Sequence, residues 1–234
     1  MADGIYVSMC GAAARIEQLD AIADNLANAQ TPGFKASRPA FESFLPASGA
    51  ADKVFPAAVA TGIDLRAGPV AHTDRPLDVL PDDGAFLAVA TPGGTAFTRD
   101  GRLSIDAQGR LVQDGRPVVA RGGGFISVPP GAAPAIDPDG KVRAGGATLG
   151  EIATFKLDGP AERVGPALIA PASGGSARPV EARLRTGEIE LGNASPLEGM
   201  VELVSAQRNF DSAMQALQTY RSLDSRSADL GRIR

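Results

Sequence analysis

The chain has no tryptophan, one cysteine and one histidine in 234 residues, and aromatic side chains make up only 5% of it. Cys10 by itself forms no internal disulfide, and with His72 as the lone imidazole there is no Cys/His set for a zinc site. A Ser-His-Asp or Cys-His arrangement would have to be built on His72, which sits in a loop-like stretch, and no Gly-x-Ser-x-Gly elbow is present. No apolar run approaches the ~20 residues that span a bilayer, so no transmembrane segment is predicted. A net charge of −4 supplies no basic footprint for nucleic acid, and no polybasic run marks a membrane surface. Residues 4–14 are mostly small or apolar, as in a signal-peptide core, yet the first basic residue is Arg15, which argues against a cleaved signal peptide.

The remaining patterns that could carry chemistry are weak. Gly122-Gly123-Gly124 lacks the Gly-Lys-Ser/Thr continuation of a phosphate loop. Asp137-Pro138-Asp139-Gly140 is too short and misspaced for a calcium loop. Asp82 and Asp83 are adjacent carboxylates in a turn, a position where such pairs are usually just solvated. The inventory points away from an enzyme and implies no cofactor and no metal.

What the chain does have is regular apolar spacing at both ends around a middle rich in turns, with 28 glycines and 18 prolines. Ile5, Met9, Ala12, Ile16, Leu19, Ala23 and Leu26 alternate steps of four and three, and Met200, Leu203, Gln207, Phe210, Met214 and Leu217 continue the same rhythm. This is the heptad spacing of helices that pack along their length. The first helix is predicted over residues 4–29, ended by Thr31, Pro32 and Gly33. The last begins at Ser195-Pro196-Leu197-Glu198, where Ser caps, Pro fits the first helical position and Glu reaches back in a capping box.

Between the helices, residues 36–70 carry scattered Pro and Gly and predict an extended connector with little regular structure. From about Arg75 to Leu191 short strands are expected at Phe86–Val89, Leu103–Ile105, Val118–Val119, Phe125–Val128, Ile152–Leu157 and Glu188–Leu191. Asp-Gly pairs at 83–84, 100–101, 114–115, 139–140 and 158–159 favour tight hairpin turns. The fold class predicted is α+β, with long N- and C-terminal helices pairing as a coiled-coil-like helical domain and a mainly antiparallel β domain between them. The implied division is 1–35, 36–74, 75–192 and 193–234.

Beyond the two stripes, Tyr6, Val7, Ile22, Leu197, Val201, Val204 and Tyr220 widen the apolar faces, more than a two-helix hairpin hides. Exposed apolar patches of this size mark interaction sites, so burial is expected to be completed by other chains. The alternative is a helical pair lying on the β core of one monomer.

Asn25-Leu26-Ala27-Asn28-Ala29-Gln30-Thr31-Pro32-Gly33-Phe34-Lys35, followed by Arg38-Pro39-Ala40-Phe41, closely resembles the N-terminal signature of bacterial flagellar rod and hook proteins. Phe97-Thr98-Arg99-Asp100-Gly101-Arg102-Leu103, then Asp106 with Gly109-Arg110-Leu111-Val112, resembles their central motif. Glu190 with Asn193, then Pro196, Glu198 and Met200, then Gln207-Arg208-Asn209-Phe210, is similar to their C-terminal signature. The chain departs from these patterns at Asp24, Gly192 and Phe210-Asp211. The short length and the Gly33–Pro39 stretch look most like the proximal-rod members.

The resemblance implies a structural axial subunit of the flagellar basal body, in the periplasmic rod. It would be exported by the flagellar type III apparatus without signal cleavage and polymerise with copies of itself and other rod proteins to carry torque. The subunit-interface residues so implied are Ile5, Met9, Ile16, Leu19, Asn25, Leu26, Asn28, Phe34, Met200, Leu203, Gln207, Phe210, Met214 and Leu217. For Asn25 to Phe34, a local helix cap with no intermolecular role stays open. A distal-rod or hook-type protein is the nearest alternative. A glycan-binding β module is a further one, against which the scarcity of aromatics counts.

Overall fold

The computed structural model describes residues 2–44 and 55–231, with side chains given for 9, 11–38, 62–223, 225 and 226. The chain divides into two compact units. Unit 1 comprises Met1–Ala27, Ser37–Gly62 and Ser195–Arg234; unit 2 comprises Asn28–Ala36 and Ile63–Ala194.

In unit 1, helix α1 spans Ala2–Ala27. Strands β1 (Ser37–Phe44) and β2 (Phe55–Ile63) pair as a two-stranded sheet, and α1 packs against β1. The segment 36–70, predicted to hold little regular structure, thus supplies this sheet and a further strand, β3 (Val70–His72).

Unit 2 continues with β4 (Val79–Pro81), β5 (Phe86–Thr91), β6 (Gly94–Thr98), β7 (Leu103–Ile105), β8 (Leu111–Gln113) and β9 (Arg116–Pro117). Then come β10 (Pro134–Ile136), β11 (Lys141–Ala144), β12 (Ala147–Glu151), β13 (Thr154–Asp158) and β14 (Ala161–Gly165). The last strands are β15 (Leu168–Pro171), β16 (Ser176–Val180), β17 (Leu184–Thr186) and β18 (Glu188–Glu190).

The largest sheet is antiparallel in the order β14-β15-β6-β5-β13-β16. Its central strand explains the unbroken apolar run Phe86–Val89. Leu87 and Val89 join one buried cluster with Leu103, Leu111, Ile126, Val142 and Leu184, while Phe86 and Ala88 join another with Phe97 and Ile169. Successive side chains of a strand point to opposite faces, so a strand covered on both sides needs apolar residues at every position. Phe97 and Phe155 meet edge to face at 5.2 Å on the second face.

Helix α2 spans Pro196–Gly231 and starts as its sequence dictates: the Ser195 carbonyl accepts from the Gly199 N–H at 2.9 Å and its hydroxyl from the Glu198 N–H at 3.4 Å.

The fold is α+β, but the expected coiled-coil-like pairing of long matched helices is corrected. The helices are unequal, 26 residues against 36, and most of the remaining regular structure is antiparallel β. Their unit also contains the β1–β2 sheet, so it is not a purely helical domain. The heptad stripes form the buried seam only in part: Met9, Ile16, Ala23, Met200 and Gln207 are exposed, while Ala12 and Leu217 of the stripes are buried together with Ala14, Ala21, Ile22 and Ala206, which lie off them. The buried faces are built largely from small residues, and a Cβ on Gly199 would stand only 3.9 Å from Leu26. An α-helix turns once per 3.6 residues, so a face rich in alanine lies beside a strict 3.5-residue stripe and leaves part of that stripe outside.

The Asp-Gly expectation also needs correction. The pairs at 114–115 and 139–140 close the β8–β9 and β10–β11 hairpins. Those at 83–84, 100–101 and 158–159 instead join strands that do not pair with each other. Asp100 is buried, and Gly101 is pressed onto Val79, where a Cβ would meet the backbone carbonyl carbon at 2.7 Å.

Candidate functional site

Charged residues from all three sequence signatures meet in unit 2. Lys35, from the N-terminal signature, is 1% exposed, and its Nζ donates to Glu190 Oε1 at 2.5 Å and to the Arg66 carbonyl at 2.6 Å. Arg99, from the central motif, grips Glu190 Oε2 through Nε at 2.8 Å and through Nη2. Its Nη1 donates to the carbonyls of Pro81, at 2.7 Å, and Ala85. Glu190, also 1% exposed, lies on β18 opposite Val70 of β3, and its Oε1 takes the Gly68 N–H at 3.0 Å as well. One buried carboxylate thus faces two buried cations. Burial pushes the Glu190 carboxyl up, but Arg99 and Lys35 outweigh that and hold it below the ordinary carboxylate range. For Lys35 burial wins: its pKa is lowered, with the attraction of Glu190 only partly offsetting the loss of water.

Backbone contacts bring the signatures together. The Gly33 N–H donates to the Glu190 carbonyl at 2.8 Å, and Gly33 has φ +71 where a Cβ would stand 2.6 Å from the Arg99 carbonyl carbon. Only glycine fits there, for conformation and for space. Phe34 is fully buried beneath the Arg163 guanidinium, 4.3 Å from its ring centroid, and Arg163 also donates to the Lys35 carbonyl. Asn193 takes the Ala36 N–H at 2.6 Å and donates to the carbonyls of Asp64, at 2.8 Å, and Arg66, at 3.0 Å. Lys35, Arg99 and Glu190 are each at most 4% exposed, and the arrangement is a buried ionic clasp.

The anticipated interface residues scatter in environment. The Ile5 side chain lies outside the described side chains. Met9, Ile16, Met200 and Gln207 are exposed; Leu19, Leu26, Leu203, Phe210 and Met214 are half-buried. Leu217 and Phe34 are buried within this chain, Phe34 completely. Asn25 clamps the backbone of Ser37, giving Nδ2 to its carbonyl at 2.8 Å and taking its N–H on Oδ1 at 2.7 Å. The Asn28 carbonyl receives the Thr31 N–H at 2.9 Å. Asn25, in the last turn of α1, thus holds the start of β1, while the Asn28 carbonyl closes the turn that follows the helix. The roles of Lys35, Arg99, Glu190, Asn193 and Arg163 escaped sequence reasoning. Four of these stand inside the quoted signatures, but the partners lie as far as 157 positions apart.

His72 lies on β3 rather than in a loop, with Nε2 3.0 Å from Asp74 Oδ1 and Nδ1 3.9 Å from Glu188 Oε1. Asp82 pairs with Arg185 at 2.8 Å. A cleft of about 660 Å³ is bordered by Arg121, Lys141, Asp139, Glu151 and Glu181. Its charges answer one another: Arg121 bonds Glu151 at 2.6 Å and also Glu181, and Lys141 bonds Asp139 at 2.6 Å. Among the described residues no group of three or more His, Cys, Asp or Glu side chains is placed to hold a metal ion, and no helix is long and apolar enough to cross a membrane.

Three family models match the chain. They are the flagella basal body rod protein model over residues 5–35, the flagellar hook protein FlgE/F/G D1 domain over 83–144, and the flagellar basal body rod FlgEFG protein C-terminal model over 185–230. The flagellar basal-body rod protein FlgF of Mesorhizobium japonicum is 33% identical over 241 residues, covering 99% of both chains. FlgF of Salmonella typhimurium is 30% identical, with 98% of each chain covered. The rod protein FlgG of Bacillus subtilis is 27% identical over 94% of this chain and 95% of its own length. The chain belongs to the flagellar basal-body rod protein family. Within that family it is FlgF-like. Each matched rod-protein segment contributes one member of the ionic clasp: Lys35 from the first, Arg99 from the second and Glu190 from the third. The clasp thus draws one residue from each of the three matched segments.

Proposed function

We propose that this chain is a structural axial subunit of the flagellar basal-body rod, in its proximal section. It is delivered by the flagellar type III export apparatus without signal cleavage, assembles with copies of itself and with other rod proteins through its terminal helices, and transmits motor torque in the periplasm. It performs no catalysis in this reading.

One observation carries the assembly role. On the first turns of α2, Leu197, Met200, Val201 and Val204 are 75%, 55%, 66% and 50% exposed and follow i, i+3, i+4, i+7 spacing, hence one face. A contiguous apolar strip open to water favours burial against another chain. The test is the double variant Leu197→Asp/Val201→Asp in a strain whose own copy is deleted. These side chains are exposed, so the monomer keeps its fold and melting behaviour, while rods fail to form. Normal rods carrying this variant refute the helix-mediated assembly.

A FlgG-type position along the rod is the second reading, favoured by the nearly full-length FlgG relative. Cross-linking of the chain in purified basal bodies, followed by identification of its neighbours, decides between the two.

A further inference from the structure

The chain passes between its two units four times: after Ala27, Ala36, Gly62 and Ala194. Four separate links leaving a β unit from different points could each flex on their own. In this protein one side chain gathers most of them. Asn193, one residue ahead of Ala194 where the last crossing begins, accepts the N–H of Ala36 at 2.6 Å, at the second crossing. It donates to the carbonyl of Asp64 at 2.8 Å and of Arg66 at 3.0 Å, just beyond the third. Its own N–H reaches the Phe34 carbonyl at 3.2 Å, and Asp64 donates to the Ala36 carbonyl at 2.8 Å, closing the loop. An amide side chain has two N–H donors and one carbonyl acceptor, and here each is engaged. The first crossing is held by contact: a Cβ on Gly192 would stand 2.5 Å and 2.9 Å from the carbonyl oxygens of Ala29 and Asn28.

Directly behind this node lies the buried clasp, since Lys35 precedes Ala36 and Glu190 is three residues before Asn193. Displacing Ala36 or the Asp64–Arg66 segment therefore breaks bonds of Asn193, and Lys35, next to Ala36, carries the strain to the buried charges. Buried polar groups that are fully satisfied resist such opening, because each broken bond leaves an unpaired group in a water-poor site.

We propose that Asn193 is a positioning residue for force: within unit 2 it binds Ala36, Asp64 and Arg66 into one node, so that load passing along these segments is shared among them rather than borne by one. The proposal rests on the rod reading above. An asparagine serves here because it accepts from one strand end and donates to another; aspartate keeps the acceptor and loses both donors.

The experiment uses the full chain as wild type, Asn193→Ala and Asn193→Asp. Amide hydrogen exchange of the purified proteins is followed at Ala36 and across β5, and the same variants are expressed in a strain whose own copy is deleted. In Asn193→Ala the Ala36 amide exchanges about tenfold faster while the β5 amides keep their rates. Rods and filaments form in wild-type number, but rotation slows under viscous load. In Asn193→Asp the Ala36 amide stays slow, yet loaded rotation is still impaired. If the β5 amides accelerate as much as Ala36, the residue is merely a stabiliser of unit 2 and the proposal falls. Unchanged loaded rotation with a freed Ala36 amide overturns it equally. Absence of the wild-type chain from purified basal bodies instead overturns the rod reading, and this proposal with it.

Discussion

Replacing Glu190 with Gln removes one charge from the clasp and almost no volume. In the native chain its carboxylate answers Lys35 at 2.5 Å and Arg99 at 2.8 Å, all three side chains being at most 4% exposed. With Gln at this position two buried cations share one site without a counter-charge. Removing one partner of a buried pair typically costs about 3–5 kcal/mol. An independent ceiling comes from the lysine. Arg99 cannot shed its proton, but Lys35 can, and its pKa is already lowered by burial. Discharging a group with an ordinary value near 10.5 at pH 7 costs about 5 kcal/mol. The lysine share of the penalty cannot exceed that, because neutralisation is the alternative. At pH 9 the same ceiling is about 2 kcal/mol.

The sign follows from proton counting. In the variant the folded chain binds fewer protons at Lys35 than the unfolded chain over the alkaline window, so stability rises with pH there. In the wild type, the stability contributed by the depressed Glu190 carboxyl is full above its unfolded pKa and is lost as pH falls through the folded value. The variant lacks that loss, so the gap between the two proteins narrows toward acid as well. Lys35→Met is the comparator: Glu190 keeps Arg99 and the Gly68 N–H, and a costly buried ammonium disappears, for a net loss of about 1 kcal/mol. Intrinsic fluorescence will not serve, because tryptophan is absent and Tyr6 and Tyr220 both lie on the terminal helices. Hydrogen exchange of the unit 2 core amides against pH reads the stability directly. A Glu190→Gln cost below about 1 kcal/mol at pH 7, or one that does not shrink toward pH 9, refutes the ionic account.

Three further outcomes are expected. Gly33→Ala combines a left-handed backbone with a clash on the Arg99–Asp100 backbone and costs about 3 kcal/mol, whereas Gly84→Ala, at φ +68 in open space, costs about 1 kcal/mol; urea unfolding of both variants isolates the clash. Ser195→Ala removes the cap of α2 and loses about 1 kcal/mol, seen as faster exchange of the first-turn amides with unit 2 unchanged. Arg163→Lys does not rescue Arg163→Ala, each losing about 1–2 kcal/mol of thermal stability, because a lysine cannot stack its charge plane on Phe34 while donating to two carbonyls.

Local chemistry made part of this fold legible. Ser195-Pro196 fixed the start of α2 because capping is settled within four residues, and the apolar run Phe86–Val89 was legible as a strand, its cover on both faces being visible only in the structure. The buried face of α1 was misplaced because heptad spacing records where large apolar residues recur, while the contact is made largely by alanines that no pattern of large residues reveals. Asp100-Gly101 carries the same letters as a hairpin tip; what distinguishes it is the Val79 backbone lying against Gly101, a contact with a residue 22 positions away. The clasp shows the limit most clearly. Lys35, Arg99 and Glu190 each stood inside a recognisable signature, and charge alone says that a Lys, an Arg and a Glu attract. Yet exposed pairs of this kind are worth little, and the chain carries 23 Lys and Arg residues and 27 Asp and Glu residues. What singles out this trio is burial, and burial here is made by β3 pairing with β18 and by Gly33 lying on the central motif, contacts that join the two ends of the chain. Each signature therefore gives one charged side chain to a single buried trio, which no signature read by itself reveals.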